Sequence, residues 1–331
     1  MEQKINTKGL TESAIMAALI SVVVILSSYF SFLYGIAMMI LPIIVAVVHY
    51  RHDFKYSAGC VIVSMIITAI MFNPITAITM GGSYGIVGIS LGYAVRKQYS
   101  PYKILILTVL ASGIAVTVDF ALTGILISGQ NIFEFMRSQA TEFSDIFAIS
   151  IDQSVKMYEA MGITGQQIEM MNQMKSLITP ELILMIFPAV IVIVAFLQGY
   201  VCYILLSIIL KKLRYAKLEV IKFSEFYVTN LVGAALIGTM CIALILYGRG
   251  AAWGITVYNS VYMITIVILG INGVAATQYF LTNKMMLPKV ARILIIAAVF
   301  VMGVFFIFCI IGFVEMLLDF RRLDPHRLRK A

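Results

Sequence analysis

Asp119 is the residue whose type and position most strongly suggest chemistry in this sequence. It lies within the apolar run Ile104–Ile127, which is long enough to form a membrane helix. A charged side chain near the centre of a bilayer costs roughly 2.5–3.5 kcal/mol on insertion scales, so such a residue usually faces a cavity or a partner. Two roles follow for Asp119: a contact in a ligand or ion site, or a protonated or hydrogen-bonded structural residue between helices.

A segment rich in small residues, 81–92, provides further candidates. Gly81 and Gly85 stand four residues apart, and Gly88 begins a second step of the same length. Such a face permits close helix packing, or it forms a cavity wall that leaves room for a substrate. We take these three glycines as candidate substrate contacts, together with Asn73, which ends the preceding apolar run.

The remaining polar residues of the apolar runs are expected to hydrogen-bond between helices, each bond being worth on the order of 1 kcal/mol. Ligand contact is their alternative role. They are Gln198, Asn230, Asn259, Asn272 and Gln278. Glu315, near the end of the last apolar run, is expected to pair with Arg321 or Arg322.

Motifs of soluble enzymes and cofactor sites are largely missing. The sequence has no HExxH, no Walker A loop and no dinucleotide fingerprint. Its four cysteines lack the paired spacings of a disulfide framework or a zinc site. We therefore predict a protein that is not an enzyme and that needs neither a cofactor nor a metal.

The composition is that of an integral membrane protein. Of the 331 residues, 61% are hydrophobic and 12% are charged, whereas a soluble domain is about 45–50% apolar and about 25% charged. The net charge of +8 comes from short basic runs between apolar segments, a pattern typical of cytoplasmic loops. Membrane lipid is thus the expected partner of these basic runs, and nucleic acid is not.

The apolar runs predict an all-α, polytopic membrane protein with about nine transmembrane helices, within a range of eight to ten. The predicted spans are Leu10–Leu33, Ile36–Val48, Tyr56–Phe72, Ile75–Val95, Ile104–Ile127, Glu181–Leu210, Val228–Tyr247, Ile255–Leu281 and Val290–Leu318. The basic segment 49–55 is expected to be a loop between the second and third spans.

Residues 128–179 differ in character from the rest, with six acidic and three basic residues. Their apolar residues recur at steps of three, four and seven, which indicates amphipathic helices. We predict a helical hairpin on or near the membrane surface, punctuated by Gly162 and Gly165.

The distribution of basic residues favours a cytoplasmic N-terminus and an external 128–179 insert. With that orientation, fifteen lysines and arginines lie in inner segments and four in outer ones. The five bases of the tail 319–331 lie outside only if Val290–Leu318 crosses once. A tilted helix, a re-entrant turn and an extra span all remain open for this run.

Several segments together resemble a known family. They are the opening Leu10–Leu19 with its Ala14-xxx-Ala18 step, the basic segment Arg51–Tyr56, the external insert and the closing Asp319–Arg322. They are similar to the YybS-like bacterial membrane proteins, a family of unknown function. The first six spans of that family resemble the substrate-binding (S) components of energy-coupling-factor transporters.

The resemblance implies a division into a six-helix module, residues 1–210, and C-terminal helices with a basic tail, residues 211–331. It also implies an unidentified small-molecule substrate and a coupling subunit with ATPases, with Ala14 and Ala18 packing on the coupling subunit. The insert and the three additional spans depart from the S-component pattern. A membrane scaffold or regulator that binds a partner or lipid is the alternative function.

Overall fold

The computed structural model describes residues 7–163, 165–215, 218–219, 221–249 and 254–323, apart from the side chain of Ser31. Within these residues the chain forms helices and no strand, which confirms the predicted all-α class. The helices are α1 Thr7–Tyr29, α2 Ser31–His52, α3 Phe54–Met71, α4 Pro74–Arg96, α5 Pro101–Thr123, α6 Ile132–Ala160, α7 Gln166–Leu177, α8 Pro180–Lys212, α9 Asn230–Gly248, α10 Gly254–Asn283, α11 Lys289–Val301 and α12 Phe306–Leu318.

Among the described residues, eight helices are long and apolar enough to cross a membrane, namely α1 to α5 and α8 to α10. A ninth candidate is the pair α11 and α12, which is bent by 115°. The predicted count of about nine is therefore confirmed. The bend divides Val290–Leu318 into two helices of 13 residues each, each only ~20 Å long. A continuous tilted helix over this run is therefore excluded.

The predicted loop at 49–55 is wrong. Helix α2 continues to His52 and α3 begins at Phe54, so Asp53 alone separates them. The chain reverses there because Asp53 has a φ of +88°. The predicted short second span is consequently a 22-residue helix.

The 128–179 insert forms the predicted helical hairpin of α6 and α7. Helix α6 begins with a capping box, in which Asn131 and Glu134 satisfy each other's backbone N–H groups. The turn between the helices includes Gly162 and Gly165, both with positive φ. Lys175 of α7 forms a salt bridge of 2.7 Å with Asp152 of α6, which links the two helices.

The chain divides into two compact units. The first comprises Met1–Ser176 and Ile193–Val220, and the second comprises Leu177–Val192 and Ile221–Ala331. In the first unit, buried apolar side chains of α1 to α4 form one cluster, centred on residues such as Ile20, Leu41 and Tyr84. Helix α4 is the most buried of the candidate spans, and its glycines permit this position.

In the second unit, α12 packs tightly on α10. The Cys309 thiol donates to the Ile266 carbonyl at 3.4 Å, and Gly312 approaches the Leu269 carbonyl. Residue numbers thus rise together along both helices, so α12 runs parallel to α10. Helix α11 leads away from the C-terminal end of α10. The sharp bend between α11 and α12 then turns the chain, so that α12 leads back toward that same end.

A buried arginine holds the end of this hairpin. Arg321 forms a 2.7 Å ion pair with Glu315, which confirms the predicted pairing, and its guanidinium donates to the carbonyls of Ser224 and Phe226. It also donates to Asn272 of α10. The tail bases Arg327, Arg329 and Lys330 lie outside the described residues.

Candidate ligand-binding cavity

A cavity of about 320 Å³ lies in the first unit between α2, α4, α5 and the middle of α8. Most of its walls are apolar, with a few polar groups among them, which is typical of small-molecule sites. Its lining residues are Tyr34, Gly35, Met38, Met39, Ser83, Val116, Asp119, Val194, Leu197 and Gln198.

Asp119 provides the cavity with its one acidic group. It lies in the last two turns of α5, which ends at Thr123, so it is closer to the helix end than to the middle. The Tyr34 hydroxyl lies 3.4 Å from Asp119 Oδ2, a long hydrogen bond. Among the lining residues there is no lysine, arginine or histidine to pair with this carboxylate.

Gln198 is oriented by a proline in the neighbouring helix. Pro42 lies inside α2 and has no N–H, so the carbonyl of Met38, four residues earlier, lacks its helical partner. The Gln198 side-chain amide donates to this carbonyl at 3.0 Å. A freed carbonyl in a membrane helix is thus satisfied by a neighbouring helix, and the same bond fixes Gln198 at the cavity.

Two buried polar atoms of the cavity lining have no partner among the described residues. They are the side-chain oxygen of Gln198 and the hydroxyl of Ser83, in residues that are 5% and 1% exposed. Buried polar groups in folded proteins are nearly always hydrogen-bonded, so each exception needs an explanation. A bound ligand that hydrogen-bonds with both groups is such an explanation.

Close packing holds α8 in the position that forms the cavity. Gly199 lies against α5, where a Cβ atom would be 2.9 Å from the Cα of Val109. The Cys202 thiol donates to the Met39 carbonyl of α2 at 3.4 Å. Gln198, next to Gly199, is therefore held against α2 and α5 together.

Of the predicted substrate contacts, Asp119 lines the cavity, whereas the glycines of α4 do not. Gly81 packs against Met65 and Gly85 against Val61, both on α3, while a Cβ at Gly88 would lie 2.6 Å from the Pro42 carbonyl oxygen. The structure therefore places these glycines at helix contacts, where the neighbouring helices fill the space that a cavity wall would need.

The other predicted site residues also lie away from the cavity lining. Asn73 caps α4, since its side-chain oxygen accepts a hydrogen bond of 2.7 Å from the backbone N–H of Ile75. Ala14 and Ala18 are both exposed on one face of α1. Because both side chains are exposed among the described residues, lipid or a partner protein can contact this face.

Sequence reasoning missed the roles of Tyr34 and Ser83 in this cavity. The letters G-x-S-x-G occur twice in α4, around Ser83 and Ser90. Both serines lie inside a helix and not at the strand-to-helix turn on which the hydrolase motif depends. For Gln198, the signal was Pro42 in an apolar run, because it leaves a carbonyl that a nearby donor must satisfy.

A larger depression of about 570 Å³ lies beside α7, but it is a less suitable site. Six of its seven lining residues are exposed, including Glu159 and Glu169. Among the described residues, no three His, Cys, Asp or Glu side chains are grouped so that they could hold a metal ion. The cavity beside Asp119 is therefore the best candidate for a binding site.

The helices and the cavity define a polytopic helical membrane protein with a site of small-molecule size. A family model described as "Predicted membrane protein (DUF2232)" matches residues 18–316, and the chain belongs to this family. No curated protein and no solved structure gives a significant match to the chain.

Proposed function

We propose that this protein is the substrate-binding subunit of a membrane transport system and holds a small molecule in the cavity between α2, α4, α5 and α8. The observation that carries the proposal is the composition of that cavity. It combines the Asp119 carboxylate, the unpartnered buried groups of Ser83 and Gln198, and apolar walls in about 320 Å³. The proposed role is binding and not catalysis.

The proposed location is the bacterial cytoplasmic membrane, with the N-terminus in the cytoplasm. With this orientation α2 runs inward and α5 runs outward. Tyr34 near the start of α2 and Asp119 near the end of α5 then both lie in the outer half of the membrane. A substrate would enter from outside the cell.

The resemblance to YybS-like proteins and S components supports a partner for α1. We propose that a coupling subunit, driven by ATPases, packs on the face that carries Ala14 and Ala18. Small residues four apart allow close helix approach in membranes, and both alanines are exposed on α1.

Blocking the cavity tests the binding role. Gly35 lines the cavity, and a Cβ added there meets nothing within 4 Å, so Gly35→Leu should fill the cavity without disturbing the helix. Gly59→Leu is the matched control, because Gly59 also has open space around it but lies on α3 outside the cavity. Metabolites extracted from the purified proteins would be compared by mass spectrometry.

We expect a small molecule that the wild type and Gly59→Leu retain and Gly35→Leu loses. An identical metabolite profile for all three proteins would contradict the binding role. For the partner, Ala18→Leu should lower the recovery of ATPase subunits from native membranes, whereas Ala234→Leu, on an exposed position of α9, should not. Equal recovery with both variants would rule out the α1 surface.

A further inference from the structure

We infer that the cavity binds a small organic cation, an ammonium with an apolar body, and this inference rests on the proposed binding function. The charge of the site is the first reason. Asp119 supplies the only carboxyl group of the lining, which has no lysine, arginine or histidine. None of the ion pairs among the described residues includes it.

Within the described residues, the Asp119 carboxyl group has only a weak stabilising contact. Its contact with Tyr34 is long, at 3.4 Å, and involves only Oδ2. A carboxylate in a membrane site is costly unless it is paired. A cationic ligand would supply the missing charge, whereas a carboxylate or phosphate would be repelled.

The hydrogen-bonding groups of the cavity point to the same ligand class. The carbonyl of Met38 requires a donor, so the amide nitrogen of Gln198 faces it. The side-chain oxygen of Gln198 is then left as an unpartnered acceptor. The unpartnered Ser83 hydroxyl can also accept. With Asp119, these groups favour a ligand that donates several hydrogen bonds, as a primary or secondary ammonium does.

The rest of the lining determines the body of the ligand. Met38, Met39, Val116, Val194 and Leu197 present thioether and aliphatic surface. Methionine side chains adapt to irregular shapes and pack well against aromatic rings. A volume of about 320 Å³ is at the lower end of the roughly 300–1,000 Å³ of small-molecule sites. The site therefore suits one compact apolar or aromatic group attached to the ammonium.

The experiment compares wild type, Asp119→Asn and Gly35→Leu, purified in lipid nanodiscs after their folding has been checked by size exclusion and thermal unfolding. Asparagine keeps the size of the side chain and removes its charge. Metabolite extracts are analysed by mass spectrometry. Binding is also titrated with 2-phenylethylamine, 2-phenylethanol and phenylacetate, which share a ring and differ in charge.

We expect the retained metabolite to be an amine that both variants lose. We also expect 2-phenylethylamine to bind wild type about tenfold or more tightly than 2-phenylethanol, because hydrogen bonds to charged groups are the stronger ones. Asp119→Asn should abolish this preference.

A retained anion or neutral molecule that Gly35→Leu loses, or a preference for phenylacetate, would overturn the cation inference and leave the binding function intact. The same holds if Asp119→Asn keeps the metabolite. An empty extract without binding of any probe would overturn the inference and the proposed function together.

Discussion

The cavity depends on a coupling between two residues far apart in sequence. Pro42 removes a backbone donor from α2, and Gln198 of α8 supplies a substitute to the Met38 carbonyl. The bond therefore satisfies a backbone group and positions a cavity side chain at the same time. The contribution of the hydrogen bond between Gln198 and the Met38 carbonyl to stability should therefore depend on whether residue 42 is a proline.

Gln198→Leu should lower the free energy of unfolding by about 1 kcal/mol, since it leaves the Met38 carbonyl without a partner. In a Pro42→Ala background the loss should be smaller, because the alanine has a backbone N–H that can bond to this carbonyl within the helix. Unfolding in mixed detergent micelles measures both losses as a double-mutant cycle. An equal loss in both backgrounds would show that the two residues are not coupled.

At the scale of helices, glycine determines how closely α4 approaches its neighbours. Gly88 contacts α2 so closely that a Cβ atom would lie 2.6 Å from both the Pro42 carbonyl oxygen and the Val45 Cβ. Gly82, in the same helix, has nothing within 4 Å of such an atom. The two glycines belong to the same glycine-rich segment but differ in tertiary environment.

Gly88→Ala should destabilise the protein by about 1–3 kcal/mol, the usual effect of overpacking. Gly82→Ala should leave stability unchanged or raise it by up to about 1 kcal/mol, because alanine favours helix. Thermal unfolding of the purified variants measures the difference. Equal effects of the two substitutions would mean that α4 does not pack on α2 as described.

At the scale of the whole molecule, the bend between α11 and α12 reconciles the number of spans with the distribution of charge. Arg321, at the end of α12, binds the carbonyls of Ser224 and Phe226. That segment follows the basic run 211–217, which charge bias assigns to the cytoplasm. We therefore propose that α11 and α12 form a re-entrant hairpin, which would place Arg321 and Arg322 on the cytoplasmic side.

Cysteine labelling in a background without native cysteines tests this orientation. In intact cells a membrane-impermeant maleimide should label Gln153→Cys, an exposed position of α6. It should not label Gln98→Cys or Arg322→Cys, both at exposed positions, until the membrane is opened. Labelling of Arg322→Cys from outside would show that α11 and α12 cross the membrane once.

The sequence alone was sufficient for the features that depend on local pattern. The length of the apolar runs predicted the all-α class and a count of eight to ten spans, because a bilayer constrains both. The spacing of apolar residues predicted the α6–α7 hairpin. Asp119 was recognisable as a candidate because a charge in an apolar run is costly wherever it lies.

Tertiary structure decided which polar and small residues share a site. The step between Gly81 and Gly85 looks the same whether it lines a cavity or packs on α3, since helix rotation is not encoded in a uniformly apolar run. The bend after Val301, where Gly303 has a φ of +70°, brings α12 against α10, a contact that the sequence does not show. Tyr34, Ser83 and Gln198 come from three helices, and only the folded chain brings them to one cavity with Asp119.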